Sequence, residues 1–165
     1  GKSRGKEGLV KIYFELNGKP QYVEVEPGES LLSLLRRLGM KSVKEGCGSG
    51  ECGSCTVLLE GKPVRSCILF APKIQGKRVT TLEGLGTLDN PHPLQLAFVE
   101  AGAVQCGFCT PGMILTSYAL LERNPNPTPD EVREYLVGNL CRCTGYKKIV
   151  DAVLLAAEWK REGRW

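Results

Sequence analysis

Eight cysteines stand at positions 47, 52, 55, 67, 106, 109, 141 and 143 of this 165-residue chain. They divide into two sets of four, one in each half, with none left over. A fold that must bring four thiols together twice has little freedom in where its loops can lie, so the partition points to two metal centres. The density is below that of a disulfide-stapled secreted scaffold, and no apolar segment precedes a small-residue cleavage site. The chain is therefore expected to be cytoplasmic, where thiols stay reduced for metal assembly.

The spacing of the first set is Cys47-x4-Cys52-x2-Cys55, with Cys67 following after eleven intervening residues. This is the plant-type ferredoxin spacing for a 2Fe-2S cluster, in which thiolates hold two irons. The intervening Gly48, Ser49, Gly50, Gly53 and Ser54 let the backbone wrap closely and aim N–H groups at sulfur. In the second set, Cys106-x2-Cys109 is separated by 31 residues from Cys141-x-Cys143. Taken alone this set leaves zinc open, although a C-x-C pair is tighter than the usual zinc spacing of two to four residues. Beside a ferredoxin-type loop, a second iron-sulfur cluster is the better reading.

Charge excludes a nucleic-acid reader. The formal balance is +4, but an oxidised 2Fe-2S cluster with its four thiolates contributes about −2, which brings a two-cluster protein close to neutral. The basic excess sits at the two ends, in Lys2, Arg4 and Lys6 and in Lys160, Arg161 and Arg164, as solvated tails and not as a stripe. No run approaches the ~20 apolar residues that span a bilayer.

Residues 1–8 are basic, glycine-rich and aperiodic, and are expected to form a disordered arm. From Leu9, the alternation of Val10, Ile12, Phe14 and Leu16, the Asn17-Gly18 turn and a return strand over Tyr22 to Glu26 predict a hairpin. Ser30 caps a predicted helix over Leu31 to Leu38 that Gly39 ends. Strands are expected at Thr56 to Leu59 and Lys62 to Cys67 around a Glu60-Gly61 turn, placing Cys67 at a strand end, and at Arg78 to Leu82. The first unit is thus α+β over residues 9–82. Residues 83–93, rich in Gly, Pro, Asn and Asp, form a linker.

Residues 94–162 read as a four-helix domain: Leu94 to Ala101, a helix opening at Thr110-Pro111, one opening at the Thr128 to Glu131 capping box, and one from about Thr144 or Gly145 to Trp159. Cys109 and Cys143 would each directly precede a helix start, where free N–H groups and the positive dipole end favour a negative cluster. Each unit has a modest core, so bound clusters should contribute heavily to its stability.

Other catalytic signatures are missing. His92, between two prolines, is the lone histidine and reads as a turn residue. No dinucleotide or nucleotide phosphate loop is present. Two one-electron centres in so small a chain make a wire, whose donor and acceptor lie elsewhere.

The segments GCGSGECGSCT (46–56), GAVQCGFCTPGM (102–113) and GNLCRCTGY (138–146) resemble the iron-sulfur subunit of the xanthine dehydrogenase and aldehyde oxidase family of molybdenum hydroxylases. The likeness runs from about residue 9 to 158; Ser54 stands where the family usually has alanine. The resemblance implies an N-terminal ferredoxin-like β-grasp domain and a C-terminal helical domain, each with one 2Fe-2S cluster. It implies a large molybdopterin-binding partner subunit and a medium FAD-binding one. Electrons would pass from the molybdopterin centre through the helical-domain cluster (Cys106, Cys109, Cys141, Cys143) to the ferredoxin-like cluster (Cys47, Cys52, Cys55, Cys67) and on to FAD or another acceptor. By motif position, Gln105 and Cys143 would lie nearest the pterin. The segments Ser42 to Cys47 and His92 to Gln95 look most like xanthine or purine dehydrogenase small subunits, with aldehyde, nicotinate-type and carbon monoxide oxidation as alternatives. A stand-alone two-cluster carrier and a zinc-stabilised interaction module are the competing readings.

Overall fold

The structure is a computed structural model that describes residues 8–43, 55–86, 90–103, 110–136 and 146–165. Within these, the first unit contains β1 (Val10–Leu16), β2 (Lys19–Val25), α1 (Leu31–Arg37), β3 (Thr56–Leu59), β4 (Lys62–Arg65) and β5 (Arg78–Thr80). The second contains α2 (Pro93–Glu100), α3 (Thr110–Arg123), α4 (Pro129–Tyr135) and α5 (Tyr146–Arg161). The chain is α+β as expected, a β-grasp sheet followed by helices.

Two tight turns set the sheet's register. Asn17 and Gly18 both adopt positive φ, 52° and 83°, the conformation that matches the twist of a two-residue hairpin. They pair Leu16 with Lys19 and Val10 with Val25, so the return strand begins three residues earlier than its sequence pattern suggested. Glu60 and Gly61 repeat the device between β3 and β4. The sheet order is β2-β1-β5-β3-β4, with β5 parallel to β1 and every other pair antiparallel.

Helix α1 packs on one face of the sheet. Ser30 Oγ accepts the Ser33 N–H at 3.1 Å, and Gly39, just past the helix, has φ 93°, a left-handed stop that glycine takes without a Cβ penalty. Leu31, Leu34 and Leu35 are fully buried against Ile12, Phe14, Leu16, Val25, Val57, Ile74 and Val79. Val10, at the open end of β1, is instead exposed.

Strand β3 is buried on both faces. Val57 belongs to the core under α1, whereas Leu58 points the other way and packs on Leu115 and Ala119 of α3. Leu85, Tyr118 and Tyr135 surround this seam. The helical core behind it gathers Leu94 and Phe98 of α2, Leu121 of α3, Val132 of α4 and Ile149, Val150 and Val153 of α5. Thr128 Oγ1 accepts the Glu131 N–H while Glu131 Oε1 accepts the Thr128 N–H, the capping box expected at α4. Among the described residues no helix is long and apolar enough to cross a membrane.

Two expectations need correction. The strand expected over Lys62 to Cys67 ends at Arg65, and Cys67 lies in a single 3-10 turn, Ser66–Ile68. There Ser66 is buried and the Cys55 carbonyl accepts both its N–H and its hydroxyl. The strand expected from Arg78 to Leu82 ends at Thr80, and Leu82–Gly84 forms another such turn. Its Gly84 N–H closes on the Thr81 carbonyl at 2.9 Å.

Candidate metal centre

Cys55 and Cys67 are the cluster candidates that fall within the described residues; Cys47, Cys52, Gln105, Cys106, Cys109, Cys141 and Cys143 lie outside them. Cys55 immediately precedes β3 and Cys67 comes two residues after β4 ends. The antiparallel register pairs Thr56 with Arg65, so one further rung sets Cys55 opposite Ser66. The two cysteines therefore emerge at the same end of one hairpin.

Ser66 makes that end rigid. It is fully buried, and the Cys55 carbonyl accepts both its N–H, at 3.2 Å, and its hydroxyl, at 2.7 Å. Cys55 is 1% exposed and Cys67 is half-buried against the same core. Both are thiols, not a disulfide. Two soft sulfur donors fixed at one end of a hairpin, one buried and one nearer the surface, fit an iron-sulfur cluster. Sequence reasoning missed Ser66, because a small polar residue ahead of a ligand carries no pattern of its own.

Two described helices lie beside the second set: α3 is described from Thr110, one position after Cys109, and α5 from Tyr146, three positions after Cys143. The strand that Cys55 opens packs against the helix that Cys109 precedes, through Leu58 and Leu115. One buried seam thus serves elements attached to both sets.

His92 is not in a simple turn. It is the N-cap of α2: Nδ1 accepts the Leu94 N–H at 3.0 Å, and Gln95 Oε1 accepts the His92 N–H at 2.7 Å. An imidazole that accepts at Nδ1 is neutral, with its remaining proton on Nε2. Its ring meets Trp165 edge-on at 4.5 Å and Tyr118 at 5.6 Å. Trp165, beyond the expected end of the helical domain at residue 162, folds back so that Nε1 donates to the Ala156 carbonyl at 3.1 Å. Lys160 Nζ lies 4.5 Å over its ring. Burial, and then the Lys160 ammonium, hold the His92 pKa below its ordinary value, with Glu122 opposing.

Residues 14–81 match the 2Fe-2S iron-sulfur cluster binding domain and residues 81–154 match the [2Fe-2S] binding domain. The nicotinate dehydrogenase small FeS subunit of Eubacterium barkeri is 51% identical, covering 90% of this chain and 96% of that protein. The xanthine dehydrogenase iron-sulfur-binding subunit of Escherichia coli O157:H7 is 46% identical over 88% of this chain and 92% of its own length. Among solved structures, a chain of quinoline 2-oxidoreductase from Pseudomonas putida 86 superposes with a TM-score of 0.89 at 45% identity, covering 96% of this chain and 99% of that one.

Proposed function

We propose that this chain, which belongs to the iron-sulfur electron-transfer subunits of the molybdenum hydroxylases, relays electrons from a molybdopterin centre on a large partner subunit toward FAD on a medium one. The observation that carries the reading is the placement of Cys55 and Cys67 at one end of a braced hairpin. With Cys47 and Cys52 they would hold the ferredoxin-like cluster, and Cys106, Cys109, Cys141 and Cys143 the helical-domain cluster. The clusters supply one-electron transfer at potentials tuned by hydrogen bonds and solvent exposure. The chain's own residues supply the thiolates, the rigid seam between the halves and the surfaces for partners.

Gln105 and Cys143 would face the pterin, so the helical-domain cluster takes the electron first. Ile68 and Phe70, both more than half exposed on either side of Leu69 and just past Cys67, are the apolar surface offered to the flavin subunit. The domain limits that go with this reading are 9–82 and 94–162, and the compartment is the cytoplasm. Substrate choice belongs to the large subunit. A xanthine- or purine-dehydrogenase-like complex is the reading taken here, with aldehyde, nicotinate-type and carbon monoxide oxidation as its alternatives; relatives of similar identity are named for nicotinate, xanthine and aldehydes.

The test is to purify the native complex and assay iron, sulfide, molybdenum and flavin. Four irons per chain, two distinct 2Fe-2S EPR signals on reduction, and larger molybdenum- and flavin-bearing partners are expected. Zinc in place of iron, or a lone chain competent as a carrier, would overturn the assignment. Turnover of aldehydes, nicotinate or carbon monoxide, with no xanthine or other purine oxidised, would overturn the substrate reading alone.

A further inference from the structure

Glu83 stands in the Leu82–Gly84 turn between the two units, yet its carboxylate reaches back 41 residues. It accepts the backbone N–H of Ser42 at 3.0 Å and the Ser42 hydroxyl. Burial works against its charge, but the hydrogen bonds from Ser42, from its own backbone N–H and from the Thr81 side chain together outweigh that, and its pKa lies below the ordinary carboxylate value. Val43, next in the chain and 1% exposed, is gripped from the other side, where Arg36 Nη1 donates to its carbonyl at 2.6 Å. Met40 is held too: its N–H donates to the Leu35 carbonyl at 2.9 Å, and its sulfur accepts from Asn17 Nδ2 and Thr81 Oγ1 at 3.5 and 3.4 Å. Residues 40–43, the last before the segment containing Cys47, are clamped between α1 and the linker.

The linker end of the clamp is anchored twice. Asn17 and Thr81 exchange two hydrogen bonds, Thr81 N–H to Oδ1 and Nδ2 to Thr81 Oγ1, both at 2.9 Å. On either side of Glu83, Leu82 and Leu85 pack against the helical-domain core. One carboxylate therefore ties the approach to the first ligand set to a strut seated in the second domain.

We infer that Glu83 is a positioning residue for the ferredoxin-like cluster, tying to the helical domain, through Ser42, the segment that precedes Cys47 in the chain. The inference rests on the ligand assignment proposed above. Groups bonded directly to metal ligands typically govern about 10- to 100-fold in metal affinity; Glu83 acts one step further out, through Ser42, which places its effect at the lower end of that range, and a local clamp should act on one cluster and not on both.

The experiment uses the full chain in its native complex, carrying Glu83→Ala, Glu83→Gln, Ser42→Ala or the Glu83→Ala/Ser42→Ala pair. The two EPR signals are first assigned with Cys67→Ser, expected to alter one of them; if it alters neither, the ligand assignment fails whatever Glu83 does. Under iron chelation, Glu83→Ala should lose the assigned ferredoxin-like signal about 10-fold faster, with altered g-values before loss and no change in the decay of the other signal. Glu83→Gln, which keeps one acceptor oxygen, should recover part of the difference. The pair should lose the signal no faster than Glu83→Ala, because both residues belong to one contact. Equal acceleration of both signals, which marks general loosening, or an unchanged ferredoxin-like signal in Glu83→Ala would overturn the inference.

Discussion

Replacing Leu58 by alanine tests whether the two halves hold their clusters as one body. Leu58 is 2% exposed and packs on Leu115, 1% exposed, and Ala119 across the seam between β3 and α3. Three carbons leave the core, worth about 2.4 kcal/mol at ~0.8 kcal/mol per methylene. A cavity walled by a strand on one side and a helix on the other closes poorly, which brings the cost to about 3 kcal/mol within the observed 2–5 kcal/mol range. Cluster proteins do not unfold reversibly, so the operational quantity is a rate. If the seam opens before the transition state, 3 kcal/mol accelerates loss by on the order of 100-fold. The assay is the bleaching of the iron-sulfur absorbance on mild heating, with EPR samples quenched along the course to follow each cluster. Leu58→Ala should accelerate loss of both signals. Leu58→Ala/Leu115→Ala should fall short of the sum of the singles by about 0.5–3 kcal/mol, as residues in contact do. Acceleration of a single signal together with strict additivity would refute the shared seam.

Three further outcomes follow from the same geometry. Ser66→Ala deletes one of two hydrogen bonds to the Cys55 carbonyl while the Ser66 N–H remains; at about 0.5–1.5 kcal/mol it should speed cluster loss in denaturant by up to about 10-fold and shift the g-values of one EPR signal only. His92 has a lowered folded pKa beside Lys160, Glu122, Tyr118 and Trp165, and an imidazolium cannot accept the Leu94 N–H. Its stabilising contribution should therefore be full above about 6.5 and be lost as pH falls from there through the folded pKa. A flat difference between wild type and His92→Gln across pH 5–8 in thermal inactivation would contradict this. A Cβ at Gly86 would lie 2.4 Å from both the His92 backbone nitrogen and Gln95 Oε1, so Gly86→Ala should destabilise by about 1–3 kcal/mol and expose the start of α2 to proteolysis.

Much of the fold was legible because it is local. Asn17-Gly18 and Glu60-Gly61 announce their hairpins by the residues that tolerate positive φ, Ser30 and Gly39 bracket α1, and Thr128 with Glu131 opens α4 within one turn of chain. The site was half legible. Spacing alone identified the eight candidate ligands, since cluster geometry limits the intervals between thiols. The brace on Cys55 escaped notice because Ser66 acts through a hydrogen bond across a ladder, and the cap made by His92 because Pro91 and Pro93 suggested only a turn.

By itself, then, the sequence indicated two candidate ligand sets, the strand and helix order and the turns, since each depends on residues close together in the chain. Only the tertiary structure decided that neighbouring Val57 and Leu58 serve opposite cores and that Cys67 sits in a turn past its strand. It alone joined Trp165 to His92 and Glu83 to Ser42. Alternation along a strand does not say what waits on the second face, and a hydrogen bond spanning 41 residues leaves no period to read.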